Sequence, residues 1–148
     1  MGKTRKEKLV LAGADLVTRK EYEAALIVFA EARLDTSKLS IDLEWFLDCK
    51  DGMAAIEINE WARAEASLKR ALRLAKKLWG PRCKELNFMR YSLSVAYLAR
   101  SKTAAAEMCL ECAVRDCIAA GGSPEDLDAA EKMLALCREM TPYKPEAK

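Results

Sequence analysis

Six cysteines and no histidine frame the chemistry open to this 148-residue chain. Cys109-x2-Cys112, followed by Cys117 and Cys137, is a grouping that could catch a soft metal such as zinc. A structural zinc site wants four Cys or His ligands, commonly in paired short spacings, and no second CxxC exists. On a helix, Cys109 and Cys112 fall on adjacent rows, where Cys137 from a later helix could meet one of them. Small buried thiols between the sixth and seventh helices are the reading that follows. Lack of histidine also removes the commonest general base, so a nucleophilic cysteine would depend on Lys, Arg or a helix dipole. Asp48 and Asp51 sit on a charged helical stretch and are expected to be solvated, not an acid–base pair. P-loop, GxSxG and HExxH patterns are absent. The chain is read as non-enzymatic, with no catalytic residue, metal or cofactor.

One stretch could attract anions. Lys69, Arg70, Arg73, Lys76 and Lys77 recur along one stripe of a helix, with Arg82 and Lys84 beyond it. Opposite them, Leu68, Ala71, Leu72 and Ala75 make an apolar face. Phosphate or an acidic partner would be drawn to such a stripe. A solvated face with cations near a helix C-terminus is the plainer reading, so nucleic acid is not the expected partner. The formal net charge of +2 adds no global drive toward polyanions or membranes.

These residues must be carried by helices. Half the chain is hydrophobic, Ala, Leu, Glu, Lys and Arg dominate, and only four prolines and six glycines interrupt. No apolar run approaches the roughly 20 residues that a membrane span needs. The start MGKTRKEKLVLAG is too short in apolar residues for a secretory signal, so a cytoplasmic protein is expected. Apolar periodicity and breaks predict helices over about 4–18, 22–34, 41–58, 61–79, 82–99 and 102–119, then a seventh from 124 to 140. Ser101 is expected to cap the sixth helix, and Ser123-Pro124 to start the seventh. Gly80-Pro81 and Gly121-Gly122 stop helices. Residues 141–148 read as a flexible polar tail.

A repeat runs through the helices. Gly13, Gly52 and Ser94 are each followed twelve residues later by an alanine, Ala25, Ala64 and Ala106. Phe29, Leu68 and Leu110 come four residues after those alanines, and Ala32, Ala71 and Ala113 three further on. The alanines lie 39 and then 42 residues apart. This pattern resembles the tetratricopeptide repeat, W-x2-L-G-x2-Y followed by A-x3-F. Trp79-Gly80-Pro81 stands where the kinesin-light-chain type of repeat has a Leu-Gly-Pro turn. Asp51 departs from the pattern, which has leucine there, and the closing proline is missing.

The resemblance implies an all-α, right-handed superhelix of three helix hairpins, over residues 6–38, 41–79 and 82–120. Helix 124–140 would be a solvating cap, and 1–140 a single domain. It also implies a concave groove lined by the first helix of each hairpin. Glu7, Val10, Ala14 and Val17 would line it in the first copy; Phe46, Cys49, Met53 and Ile56 in the second; Phe88, Tyr91, Val95 and Leu98 in the third. Chaperone-binding members clamp a terminal carboxylate with Lys and Asn at these positions, which this chain lacks. An adaptor or chaperone that buries an apolar or amphipathic segment of a partner protein is the function expected. A homodimer or scaffold using the same face is the alternative, as is binding of an acidic partner or nucleic acid through the stripe.

Overall fold

A computed structural model describes residues 2–81 and 83–140. Within them the chain forms seven helices and no strand: α1 (Arg5–Thr18), α2 (Tyr22–Leu34), α3 (Ile41–Glu57), α4 (Trp61–Trp79), α5 (Lys84–Ala99), α6 (Thr103–Ala119) and α7 (Pro124–Met140). Local chemistry starts several of them. Thr4 and Glu7 form a reciprocal capping box at α1. Ser40 accepts from the Leu43 N–H at α3, and Ser123 from the Asp126 N–H at α7, where Pro124 occupies the first turn. None of the described helices is long and apolar enough to cross a membrane. The tail 141–148, expected to be flexible, lies outside the described residues.

Four turns share one geometry. Lys20, Asn59, Ser101 and Gly121 all take left-handed φ values of 60–66° just after a helix. In each turn the next N–H returns to a carbonyl five residues back: Glu21 to Leu16, Glu60 to Ala55, Lys102 to Tyr97 and Gly122 to Cys117, at 2.8–2.9 Å. This closes the helix by satisfying one of its last carbonyls. Ser101 therefore ends α5 and does not cap α6, whose N-cap Lys102 makes no side-chain cap bond. A three-residue connection leaves room for one left-handed residue, and Ser101 fills that place.

Each turn folds a helix back on its predecessor, so α1 packs on α2, α3 on α4 and α5 on α6. Successive hairpins stack through α2 on α3 and α4 on α5, and α7 closes the end against α6. First helices also touch across hairpins, α1 with α3 and α3 with α5. The repeat residues mark the tightest packing: Ala25, Phe29, Ala64, Leu68, Ala106 and Leu110 are all wholly buried. A methyl group on Gly13 would come within 2.4 Å of the Phe29 ring, and one on Gly52 within 2.6 Å of Leu68. Glycine is thus required there by close helix approach. The result is an all-α helical-repeat fold.

Candidate functional site

Of the residues expected to line an apolar groove on the first helices, the structure buries several. Val10, Ala14 and Cys49 are buried in the core, because α1 presses on α3 and α3 on α5. Val17 is buried as well. Phe46 and Met53 are half-buried: Lys50 lies over the Phe46 ring at 5.6 Å, and Met53 packs against the small core of Cys49, Ala71, Ala75, Leu86 and Met89. Val95 is also half-buried. Only the third copy opens to solvent, with Phe88 51% and Tyr91 37% exposed.

Those two aromatics line a cleft of about 710 Å³ whose far wall is α7. Ala113 and Cys117 of α6 form its floor, and Ala129 and Ala130 of α7 its opposite side. Both α5 and α7 pack on α6, but they do not press together as α1 does on α3. Small side chains on α6 and α7 leave the space between them unfilled. Glu85 and Asp126 stand among the lining residues, which include no Lys or Arg. The reading from sequence had assigned α7 only to capping, so it missed this half of the site. Its signal was present in the small residues of α7, Ala129-Ala130, which face a neighbour without filling the gap.

Charged side chains hold the hairpins together. Asp48 and Asp51, expected in solvent, are buried. Asp51 accepts from Arg33 Nη2 at 2.7 Å, Arg63 Nε at 2.9 Å and Ser67 Oγ at 3.0 Å. Asp48 accepts from Arg33 Nη2 at 2.7 Å and Arg70 Nε at 3.2 Å. This cluster ties α2, α3 and α4, and a carboxylate buried there is tolerable because each is so bonded. Burial opposes the charge on Arg33, but its bonds to Asp51 and Asp48 outweigh that and raise its pKa. A third buried carboxylate, Glu65 of α4, meets Arg100 and Lys102 at the α5–α6 turn. In a third pair, buried Arg90 of α5 bonds Asp116 of α6.

Glu65 links this architecture to pH. Burial works against its ionisation, yet the hydrogen bonds from Lys102 and Arg100 prevail and hold its carboxyl below the usual range. Asp116 is lowered likewise, with Arg90 overcoming the cost of burial. A lowered folded value means that the stabilisation is full above the unfolded pKa, about 4. It is lost as pH falls through the folded value. Thermal melts should therefore show a falling midpoint as pH drops from about 5 toward 3. Glu65→Gln should lower the midpoint at neutral pH and flatten this acid decline. Identical acid slopes in the two proteins would exclude Glu65 as a contributor.

The basic stripe does not act as one surface. Lys69 lies 3.7 Å from Glu65, and Arg70 is engaged by Asp48. Arg73, Lys76 and Lys77 remain exposed. Arg82 and the side chain of Lys84 lie outside the described residues. The cysteines are split as well: Cys117 and Cys137 are buried, and Cys109 and Cys112 partly so. Cys137 Sγ donates to the Thr103 carbonyl at 3.3 Å, joining α7 to the start of α6. Burial pushes the thiols of Cys49, Cys109 and Cys137 up, which leaves them in the weakly nucleophilic form at neutral pH.

No family model and no curated protein sequence matches this chain. Among solved structures, BtubC (BKLC) from P. vanneervenii is similar, with 19% identity and a TM-score of 0.55. The match covers 100% of this chain and 70% of that one. At this identity the likeness concerns the fold alone, and it supports the helical-repeat architecture seen in the seven described helices.

Proposed function

We propose that this chain is a non-catalytic protein-interaction module of the kinesin-light-chain-like repeat type. Its binding site is the cleft between α5 and α7, not a groove running the length of the stack. The observation that carries this reading is the exposure of Phe88 and Tyr91 over a cleft whose floor and far wall carry the small residues Ala113, Cys117, Ala129 and Ala130. Aromatic side chains left half in water, beside space for another side chain, gain most when a partner covers them. A cleft of about 710 Å³ takes a few side chains of a peptide segment and not a whole domain face. Glu85 and Asp126 favour a segment that carries Lys or Arg next to its apolar anchor.

The test is capture of partners from the source cell by the wild type and by Phe88→Ala/Tyr91→Ala. Both side chains are substantially exposed, so the variant should keep its helical circular dichroism and its melting behaviour. Proteins retained by the wild type should be lost, and affinity for an identified segment should fall at least about tenfold, or roughly 1.4 kcal/mol. Glu85→Lys/Asp126→Lys should weaken a basic segment further at low salt. Unchanged capture by both variants would remove the cleft as the site. A wild-type mass that halves in the aromatic variant would instead assign the cleft to a second copy of this chain.

A further inference from the structure

Nearer the N-terminus, α2 and α4 both lean on α3 and leave a second cavity of about 410 Å³. Arg70 and Arg73 of the basic stripe reach it, and there they meet Lys6 of α1 and Arg33 of α2. Residues far apart in sequence thus converge on one recess. Two carboxylates, Glu44 and Asp48, also line it, so four cations face two anions. Asp48 is already occupied by Arg33 and Arg70. Asp51, which shares Arg33, is matched by Arg63, so it does not consume the surplus.

The remaining positive charge is held in place. Lys6 Nζ donates to the Asp35 carbonyl at 2.8 Å and to the Ser37 carbonyl at 3.1 Å. These backbone acceptors fix the ammonium, the nearby Asp35 carboxylate offsets part of its charge, and one N–H remains to donate. Arg73 makes no ion pair among the described residues, and Glu44 is an exposed rim residue likewise without one. Leu39, Leu47 and Leu74 complete the wall and limit how much water can screen the cations. A planar carboxylate would engage one guanidinium fork. A tetrahedral dianion can take donors from two helices at once, which is what Lys6 of α1 and Arg70 and Arg73 of α4 offer.

We propose that this recess between α2 and α4 is a phosphate-binding site, distinct from the aromatic cleft. The shared ligand chemistry is a phosphate dianion, supplied either as the free ion or by a phosphorylated side chain of a partner. The experiment is calorimetric titration of the full chain with sodium phosphate, against sodium chloride at matched ionic strength. A parallel titration uses a short phosphoserine peptide and its serine twin. Arg73→Ala is the informative variant, because Arg73 is exposed and supports no described ion pair. Lys77→Ala makes the same charge change on the same helix outside the recess.

Saturable one-to-one binding is expected, weakened at least about tenfold by Arg73→Ala and little by Lys77→Ala. Tighter binding of the phosphopeptide than of phosphate would assign the ligand to a modified partner, and equal binding would assign the free ion. Equal losses in both variants would mark diffuse attraction of anions along α4 and would overturn the site. So would heats indistinguishable from the chloride control.

Discussion

Asp51→Ala is expected to lower the unfolding free energy by about 3–5 kcal/mol, the range found when one partner of a buried ion pair is removed. Asp51 is only 1% exposed, and three side chains donate to it: Arg33, Arg63 and Ser67. Alanine would leave the Arg63 guanidinium without its carboxylate and Ser67 without its acceptor, while Arg33 would keep only Asp48, at 2.7 Å. Both arginine side chains are 30% exposed and can partly rehydrate, which places the loss toward the lower end. Against a total stability of about 5–15 kcal/mol, even that is a large share. Chemical denaturation should show the midpoint falling with little change in slope, and the thermal midpoint should drop by roughly 10 °C. Asp51→Asn keeps the shape and part of the bonding, so it should lose less. Replacing Asp51 and Arg63 together by Leu and Met should recover part of the deficit, because it removes the stranded guanidinium and leaves Arg33 paired with Asp48. A loss below about 1 kcal/mol in Asp51→Ala would show that the cluster does not hold the hairpins together.

That cluster marks the boundary of what the sequence discloses. Helix ends were readable because their causes are local: Thr4 with Glu7, Ser123 before Pro124, Gly80 after Trp79. Pairing of helices was readable too, since Gly13 and Phe29, or Gly52 and Leu68, recur at one spacing and meet in space. Asp51 was visible only as an anomaly, a carboxylate at a position where the repeat has leucine. Its partners sit 18 residues upstream on α2 and 12 downstream on α4, and nothing in the pattern links them. Without those partners a carboxylate on a charged helix is expected in water. The groove failed for a related reason. Side-chain type placed Val10, Ala14 and Cys49 on the right helices, but exposure depended on how closely those helices stack. Close stacking of α1, α3 and α5 buried them, and the opening appeared only beside α7.

Phe29→Ala should be the second severe change, at about 3–5 kcal/mol, because a wholly buried ring is removed from the contact between α1 and α2. Its coupling to Gly13 gives the more searching test. Gly13→Ala alone places a methyl 2.4 Å from the ring, a distance that real contacts do not tolerate, so one of the helices must shift. Overpacking of this kind costs about 1–3 kcal/mol, offset by up to about 1 kcal/mol from the better helix propensity of alanine. In the double variant the ring is gone and the methyl has space, so only the propensity gain should remain. The pair should therefore be more stable than the sum of its single effects, by about 1 kcal/mol or more. Denaturation of the two single variants and the double variant measures this term directly. Additivity would mean that Gly13 and Phe29 do not set the distance between α1 and α2. A positive coupling should recur for Gly52 with Leu68, where the same spacing brings a methyl within 2.6 Å. The repeat would then be a rule of packing: small residue on one helix, large on the next, sixteen positions on.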